Sequence, residues 1–216
     1  MGASYTLYGS DGSGSAAVEV ALDWTGVRWA RIDAASWEPG PGLEALKGVN
    51  PLGQIPTLLL PDGSVMTESA AILIHLGLVH PRSGLLPADA AARARALRGL
   101  VYVAANCYAA IGVVDFPGRW LAGRPRQATR DRLHQGSRER LHALWDAFAD
   151  QFVGGDPFLG GAAPDALDLL AAVVSKWSGT RQHLATSRPA FSKLLKRVEA
   201  HPRVAPVLDR HWPRRR

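Results

Sequence analysis

The sequence predicts a two-part chain: an α/β domain over residues 1–79, then an all-α helical bundle over residues 88–216. Three observations carry that expectation. Strand-like apolar runs and Gly/Pro turns occupy the first 80 residues, whereas Ala, Leu and Arg recur at helical spacing afterwards. The charge divides at the same place. Residues 1–80 hold three Lys/Arg against eight Asp/Glu (net −5) and residues 81–216 hold 22 against 11 (net +11), which together give the chain's +6. Between the halves runs a punctuated linker, His80-Pro81-Arg82-Ser83-Gly84-Leu85-Leu86-Pro87. With 216 residues, 47% of them apolar and 20% charged, the chain is long enough for a large core and too apolar for disorder.

Taken in order, Tyr5-Thr6-Leu7-Tyr8 reads as a short buried strand. The Gly/Ser-rich turn after it runs into Ala16-Ala17-Val18-Glu19-Val20-Ala21-Leu22, whose apolar spacing is helical. A second strand over 27–32 completes a β-α-β unit, and the right-handed crossover makes its strands parallel. A loop with Trp37, Pro39 and Pro41 leads to a short helical piece near 43–47. The apolar run Thr57-Leu58-Leu59-Leu60, the Pro61-Asp62-Gly63 turn and Val65-Met66 then predict a hairpin. Thr67-Glu68-Ser69 opens a helix that continues through Leu76.

The second half predicts helices over 88–121, 126–152, 165–177, 189–200 and 204–212, joined by short connections into a bundle. Asp165 and Asp168 fall at the N-cap and N3 positions of the third, where carboxylates accept unsatisfied N–H groups and suit the positive helix end. The longest uncharged stretch, residues 99–114, is interrupted by Asn106 and falls short of the roughly 20 apolar residues that a spanning helix needs. It is expected to be a core helix, and no membrane association is expected.

Several function classes are excluded at this stage. The first residues lack the basic head and apolar run of an export signal, and the lone Cys107 cannot form an intrachain disulfide, so a cytoplasmic, reducing setting is expected. Gly2 and Thr6 satisfy a myristoylation pattern, read as coincidence because the strand begins there. The seven histidines include no pair at metal-ligand helical spacing, so no metal is expected. The arginines of the second half and the Arg214-Arg215-Arg216 tail are scattered, with no stacking module beside them, and no nucleic acid is expected as partner. Gly12-Ser13-Gly14-Ser15-Ala16-Ala17 with Asp33 mimics a dinucleotide fingerprint, but a hairpin follows where further β-α-β units are required.

Two clusters bear on binding. The turn after the first strand places N–H groups and the hydroxyls of Ser10, Ser13 and Ser15 at a helix N-terminus, a setting that stabilises an anion. In Gln54-Ile55-Pro56, a cis proline before a buried strand would turn the Ile55 backbone toward a ligand. Glu68-Ser69 supplies a carboxylate for an ammonium group, and a hydroxyl and N–H for a carboxylate, as an amino-acid head group requires. A hairpin proline and a capping box are the competing readings.

The segments Asn50-Pro51-Leu52-Gly53-Gln54-Ile55-Pro56-Thr57-Leu58 and Thr67-Glu68-Ser69-Ala70-Ala71-Ile72 resemble the glutathione-binding half of the cytosolic glutathione S-transferase family. The Phe158-Leu159-Gly160-Gly161 turn before Asp165-Ala166-Leu167-Asp168 resembles the family's buried capping motif. The resemblance implies a thioredoxin-like first domain, with glutathione as co-substrate held by Gln54, Ile55, Pro56, Glu68 and Ser69. It implies a hydroxyl beside the glutathione sulfur, here Ser13, with Ser10 and Ser15 as alternatives and Tyr8 an outsider. A small hydrophobic electrophile would sit against the helical domain at Tyr102, Asn106 and Tyr108, with Phe116 and Trp120 beyond. The family also implies a homodimer, to which the acidic first half and basic second half are complementary. Transferase chemistry of a detoxifying kind is expected; glutathione-dependent isomerase or peroxidase activity, or a non-catalytic binding role, are the alternatives.

Overall fold

A computed structural model describes residues 4–213. Gly2 and the Arg214–Arg216 tail lie outside the described residues. Strand β1 (Tyr5–Gly9) pairs parallel with β2 (Trp29–Asp33), in register from Tyr5↔Trp29 to Gly9↔Asp33, across helix α1 (Ser15–Thr25). Helix α2 (Pro41–Val49) follows, then the hairpin of β3 (Thr57–Leu59) and β4 (Val65–Met66). Asp62 holds that turn by accepting from the Ser64 N–H at 2.9 Å and the Ser64 hydroxyl at 2.6 Å. β3 pairs antiparallel with β1, so the sheet order is β2-β1-β3-β4 and helix α3 (Ser69–Val79) closes the unit. This is a thioredoxin-like arrangement, not the extended parallel sheet of a dinucleotide domain.

The second half is helical. Residues 90–115 form one 26-residue stretch built from α4 (Ala90–Tyr102), a wider π-helical turn (Val103–Tyr108) and α5 (Ala109–Asp115). By length and composition it is able to cross a membrane. Here it buries Leu100, Val103, Cys107 and Ile111 in the core, beside α6 (Gln127–Phe152) and α7 (Ala166–Val174). The single helix expected over 88–121 is thus corrected: the π turn interrupts it, and after Asp115 the chain breaks into a 3₁₀ turn (Pro117–Trp120) because Pro117 lacks an N–H to continue the ladder. Helices α8 (Thr180–Ser187), α9 (Pro189–Ala200) and α10 (Ala205–His211) complete the bundle. α8 was not anticipated. α7 stops at Val174, short of the expected 177, Ser178 and Gly179 both take positive φ in the turn that follows, and the short helix after them buries only Thr180 and Leu184.

Helix α7 is buried on every side and packs against α1, α3, α4 and α9. Its start carries the expected capping pair. Asp165 accepts from the Leu167 and Asp168 N–H groups, while Asp168 reaches back to the Asp165 N–H. Asp168 also accepts from Leu159 and Gly160, each at 2.9 Å, which ties the preceding turn to the helix.

Candidate functional site

A cavity of about 1030 Å³ opens between the sheet domain and α5. Its floor is built by three segments of the first half: Gly12–Gly14 at the start of α1, Gln54–Pro56 before β3, and Thr67–Ser69 before α3. Its far wall comes from the second half, with Tyr108, Ile111, Asp115, Phe116, Arg119, Trp120 and Trp177, while Ser36, Trp37 and Leu52 stand at the rim.

The Ile55-Pro56 bond is cis. The ladder between β1 and β3 begins only at Tyr8↔Thr57, so the Ile55 peptide lies outside it and faces the cavity. Asn50, absent from the expected site, braces this turn. Its buried amide donates to the Gln54 carbonyl at 3.1 Å and the Thr57 hydroxyl at 2.9 Å, and its carbonyl oxygen accepts from the Leu52 N–H. A side chain placed to satisfy three groups of one turn fixes where the Ile55 backbone points.

Glu68 takes φ 63°, ψ 109°, a region that costs a non-glycine residue on the order of 1–3 kcal/mol. No side-chain hydrogen bond caps α3, so the capping-box reading does not hold here. The Glu68 carboxylate and the buried Ser69 hydroxyl are both left on the cavity wall, at the positive end of α3.

Of the three turn serines, Ser13 lines the cavity and Ser10 and Ser15 do not. Ser13 Oγ accepts from the Ser15 N–H at 3.1 Å and bonds Ser15 Oγ at 2.9 Å. Ser15 Oγ in turn reaches the Ser10 carbonyl at 3.3 Å and Glu19 Oε1 at 3.2 Å, both of which only accept. Each hydroxyl has one proton. With the Ser15 proton directed to these acceptors, Ser13 is the donor of the pair, and an anion in the cavity competes with Ser15 Oγ for its proton. Tyr8 belongs to β1 and is absent from the lining.

On the far wall, Tyr108 is the one member of the expected electrophile trio that lines the cavity. Tyr102 is turned away because its hydroxyl donates to the Leu144 carbonyl at 2.9 Å and its ring packs on Phe148 and Phe152. Asn106 is turned away because its amide donates to the Tyr102 carbonyl at 3.1 Å, inside the π turn. Burial, with the nearby Glu68 and Asp115 charges, pushes the Tyr108 phenol up to about 12, so it is a donor at neutral pH. A Cβ at residue 14 would lie 2.5 Å from Tyr108 Oη, so glycine there permits the phenol to close over the first turn. Burial also pushes the Cys107 thiol up to about 12, which leaves it inert. Phe116 and Trp120 also line the cavity, from the break after α5 and not from a continuous helix, and so do Trp37, Asp115, Arg119 and Trp177, which the sequence reading did not place there. Among the described residues no group of three or more His, Cys, Asp or Glu side chains is placed to hold a metal ion.

A thioredoxin-like sheet domain with a cis proline at a cavity walled by a helical domain defines a class, and comparison with known proteins places the chain within it. The family model described as glutathione S-transferase, N-terminal domain, matches residues 15–78. The Zea mays protein named "Probable glutathione S-transferase BZ2" is 31% identical over 90% of this chain and 85% of that protein. The Escherichia coli (strain K12) GST-like protein YncG is 28% identical over 95% of this chain and 97% of its own length. The crystal structure of a glutathione transferase homolog from sulfitobacter, with bound glutathione, superposes with a TM-score of 0.79 at 25% identity, covering 96% of this chain and 98% of that one. The chain belongs to the glutathione S-transferase family.

Proposed function

We propose that this protein is a glutathione transferase, with residues 1–79 binding glutathione and residues 88–216 presenting the electrophile. The observation that carries the reading is the convergence of the Ser13 hydroxyl, the Ile55 backbone at the cis proline and the Glu68-Ser69 pair on one cavity. Glu68 receives the γ-glutamyl ammonium and Ser69, with its helix N-terminus, the γ-glutamyl carboxylate, with Gln54 beside them. The Ile55 peptide holds the cysteinyl unit and brings its sulfur to Ser13. The family relationship and the glutathione bound by the sulfitobacter homolog support glutathione as the ligand.

A free thiol has a pKa near 8.5 and is mostly protonated at neutral pH. The Ser13 hydroxyl and the N–H groups that open α1 favour the thiolate. Lowering the pKa by two units needs about 2.7 kcal/mol of differential stabilisation, within reach of two or three charge-assisted hydrogen bonds. The thiolate then forms a bond to the electrophilic carbon, and the leaving group departs with its electron pair. Ser13→Ala is expected to raise the apparent pKa of bound glutathione, followed by thiolate absorbance, by about 1–2 units. Ser69→Ala is expected to weaken glutathione binding by about 1–3 kcal/mol in calorimetry without moving that pKa. Binding with an unperturbed thiol in the wild-type protein would favour the non-catalytic alternative, and no binding at all would remove the reading.

The protein is further read as a homodimer that sets the acidic half of one subunit against the basic half of the other. Exposed Val65, Leu78, Val79 and Val101 provide apolar area for such a contact. Association measured by sedimentation is expected to weaken between about 0.1 M and 1 M salt, where the screening length falls from roughly 10 Å to 3 Å.

A further inference from the structure

Among the described residues, Arg119 is the only Lys or Arg side chain that lines the cavity. Its guanidinium lies 4.0 Å from the centre of the Phe116 ring, and among the described residues it forms no ion pair, not even with Asp115, which lines the same wall. A guanidinium held over an aromatic face by cation–π attraction still has N–H donors for a carboxylate or similar anion, which it can grip through two parallel hydrogen bonds. The segment that follows it is strongly basic. Residues 119–140 hold Arg119, Arg124, Arg126, Arg130, Arg132, Arg138 and Arg140 against Asp131 and Glu139. Arg130 reaches the back of the same turn, its Nη1 3.9 Å from where a Cβ on Gly118 would stand. A cation at the mouth of a cleft with such surroundings draws anions inward.

The rest of the mouth is aromatic and open. Trp37, Phe116 and Trp120 are 58%, 44% and 62% exposed, unusual for such large apolar side chains and suited to stacking on a flat guest. Tyr108, against the first turn, and Asp115 stand at the two ends of α5, about 10 Å apart at 1.5 Å rise per residue, with Arg119 one turn further out. The cavity that Ser13 and Arg119 both line, about 1030 Å³, has room for an aromatic ring between them. We infer that the outer half of the cavity selects a planar aromatic electrophile carrying an anionic group, and that Arg119 is the residue that determines this specificity. The inference rests on the glutathione transferase reading above and adds its substrate class. The Asp115 carboxylate confines the anionic group to the Arg119 end.

The test uses matched acid and amide pairs. In 4-chloro-3-nitrobenzoate the thiolate forms a C–S bond at the chlorine-bearing carbon, the ring and nitro group take up the electron pair, and chloride leaves with it; the thiol proton passes to solvent. 4-Chloro-3-nitrobenzamide reacts in the same way without the anion. The corresponding S-aryl glutathione conjugates report the same preference by calorimetry, independently of turnover. The wild-type protein is expected to bind the acid conjugate about tenfold or more tightly than the amide, as charge-assisted bidentate bonding allows, and kcat/KM for the acid is expected to exceed that for the amide. Arg119→Gln is expected to abolish the preference while leaving the affinity for glutathione alone unchanged, and Arg119→Lys to keep part of it. Equal affinities in the wild-type protein overturn the inference, as does a preference that survives Arg119→Gln. A loss of glutathione affinity in Arg119→Gln without loss of the preference also overturns it, by assigning the arginine to the tripeptide. Absence of binding by glutathione itself is a different result: it removes the transferase reading and this inference with it.

Discussion

Replacing Asp168 with alanine is expected to lower the unfolding free energy by about 3–5 kcal/mol, one of the two largest single-residue effects anticipated outside the cavity. The carboxylate is fully buried and accepts three backbone N–H groups, from Leu159, Gly160 and Asp165, at 2.9, 2.9 and 3.1 Å. Alanine leaves three donors without an acceptor; the buried Asp165 N–H bears the full cost of roughly 1–3 kcal/mol, and the part-buried Leu159 and Gly160 N–H groups less, on top of the broken turn. The damage reaches beyond one helix end. Those bonds fasten the turn before α7, and α7 is the helix on which α1 and α3 of the sheet domain rest. Asp168→Asn keeps the shape but turns an amide toward N–H donors, so it is expected to fall between wild type and alanine. The midpoint of urea unfolding, at unchanged slope, measures both. A loss below about 1 kcal/mol for alanine would show that water replaces the carboxylate.

The capping pair was legible in the sequence because its chemistry is local: Asp165 and Asp168 are three residues apart, and the spacing alone puts both at the first turn. The cis proline turn and Glu68-Ser69 are also local features, and the structure brings both to one cavity. What was not legible depends on facing. Tyr102, Asn106 and Tyr108 share one apolar helix, and only the π turn between Val103 and Tyr108 decides that Tyr108 meets Gly14 while the other two face α6 and their own backbone. Arg119 was hidden for a related reason. Its place on the wall is set by the break at Pro117, which periodicity read as continuous helix. Helix α8 lacks an apolar stripe, burying only Thr180 and Leu184, so the Ser178-Gly179 turn before it had no periodic segment to mark the start of.

Glu19 was the residue most deeply concealed, since it stands inside an apolar helical run and its partners are up to 192 positions away. Fully buried on α1, it accepts from His211 Nε2 at 3.0 Å, from Ser15 Oγ at 3.2 Å, from Arg31 Nη1 at 3.4 Å, and from Arg210. It thereby ties the last helix to the turn that carries Ser13. Glu19→Ala is expected to cost about 3–5 kcal/mol, because Arg210 and the buried His211 are left facing an uncompensated space while Arg31 retains only Asp11. Burial by itself raises this carboxyl, but the His211 and Arg210 hydrogen bonds and the Arg31 charge outweigh it, and the net shift is downward from 4.5. A carboxyl with a depressed folded-state pKa contributes stability that is fully present above its unfolded value and disappears as pH falls through the folded one. The wild-type protein is therefore expected to lose stability below about pH 4.5 along a limb to which Glu19 contributes, and Glu19→Gln, which keeps the shape without the titration, to flatten it. Urea midpoints collected from pH 7 down to pH 3 separate the two curves. If they run parallel throughout, the carboxylate is not held by the charges that surround it, and the link between the end of the chain and the Ser13 turn is packing alone.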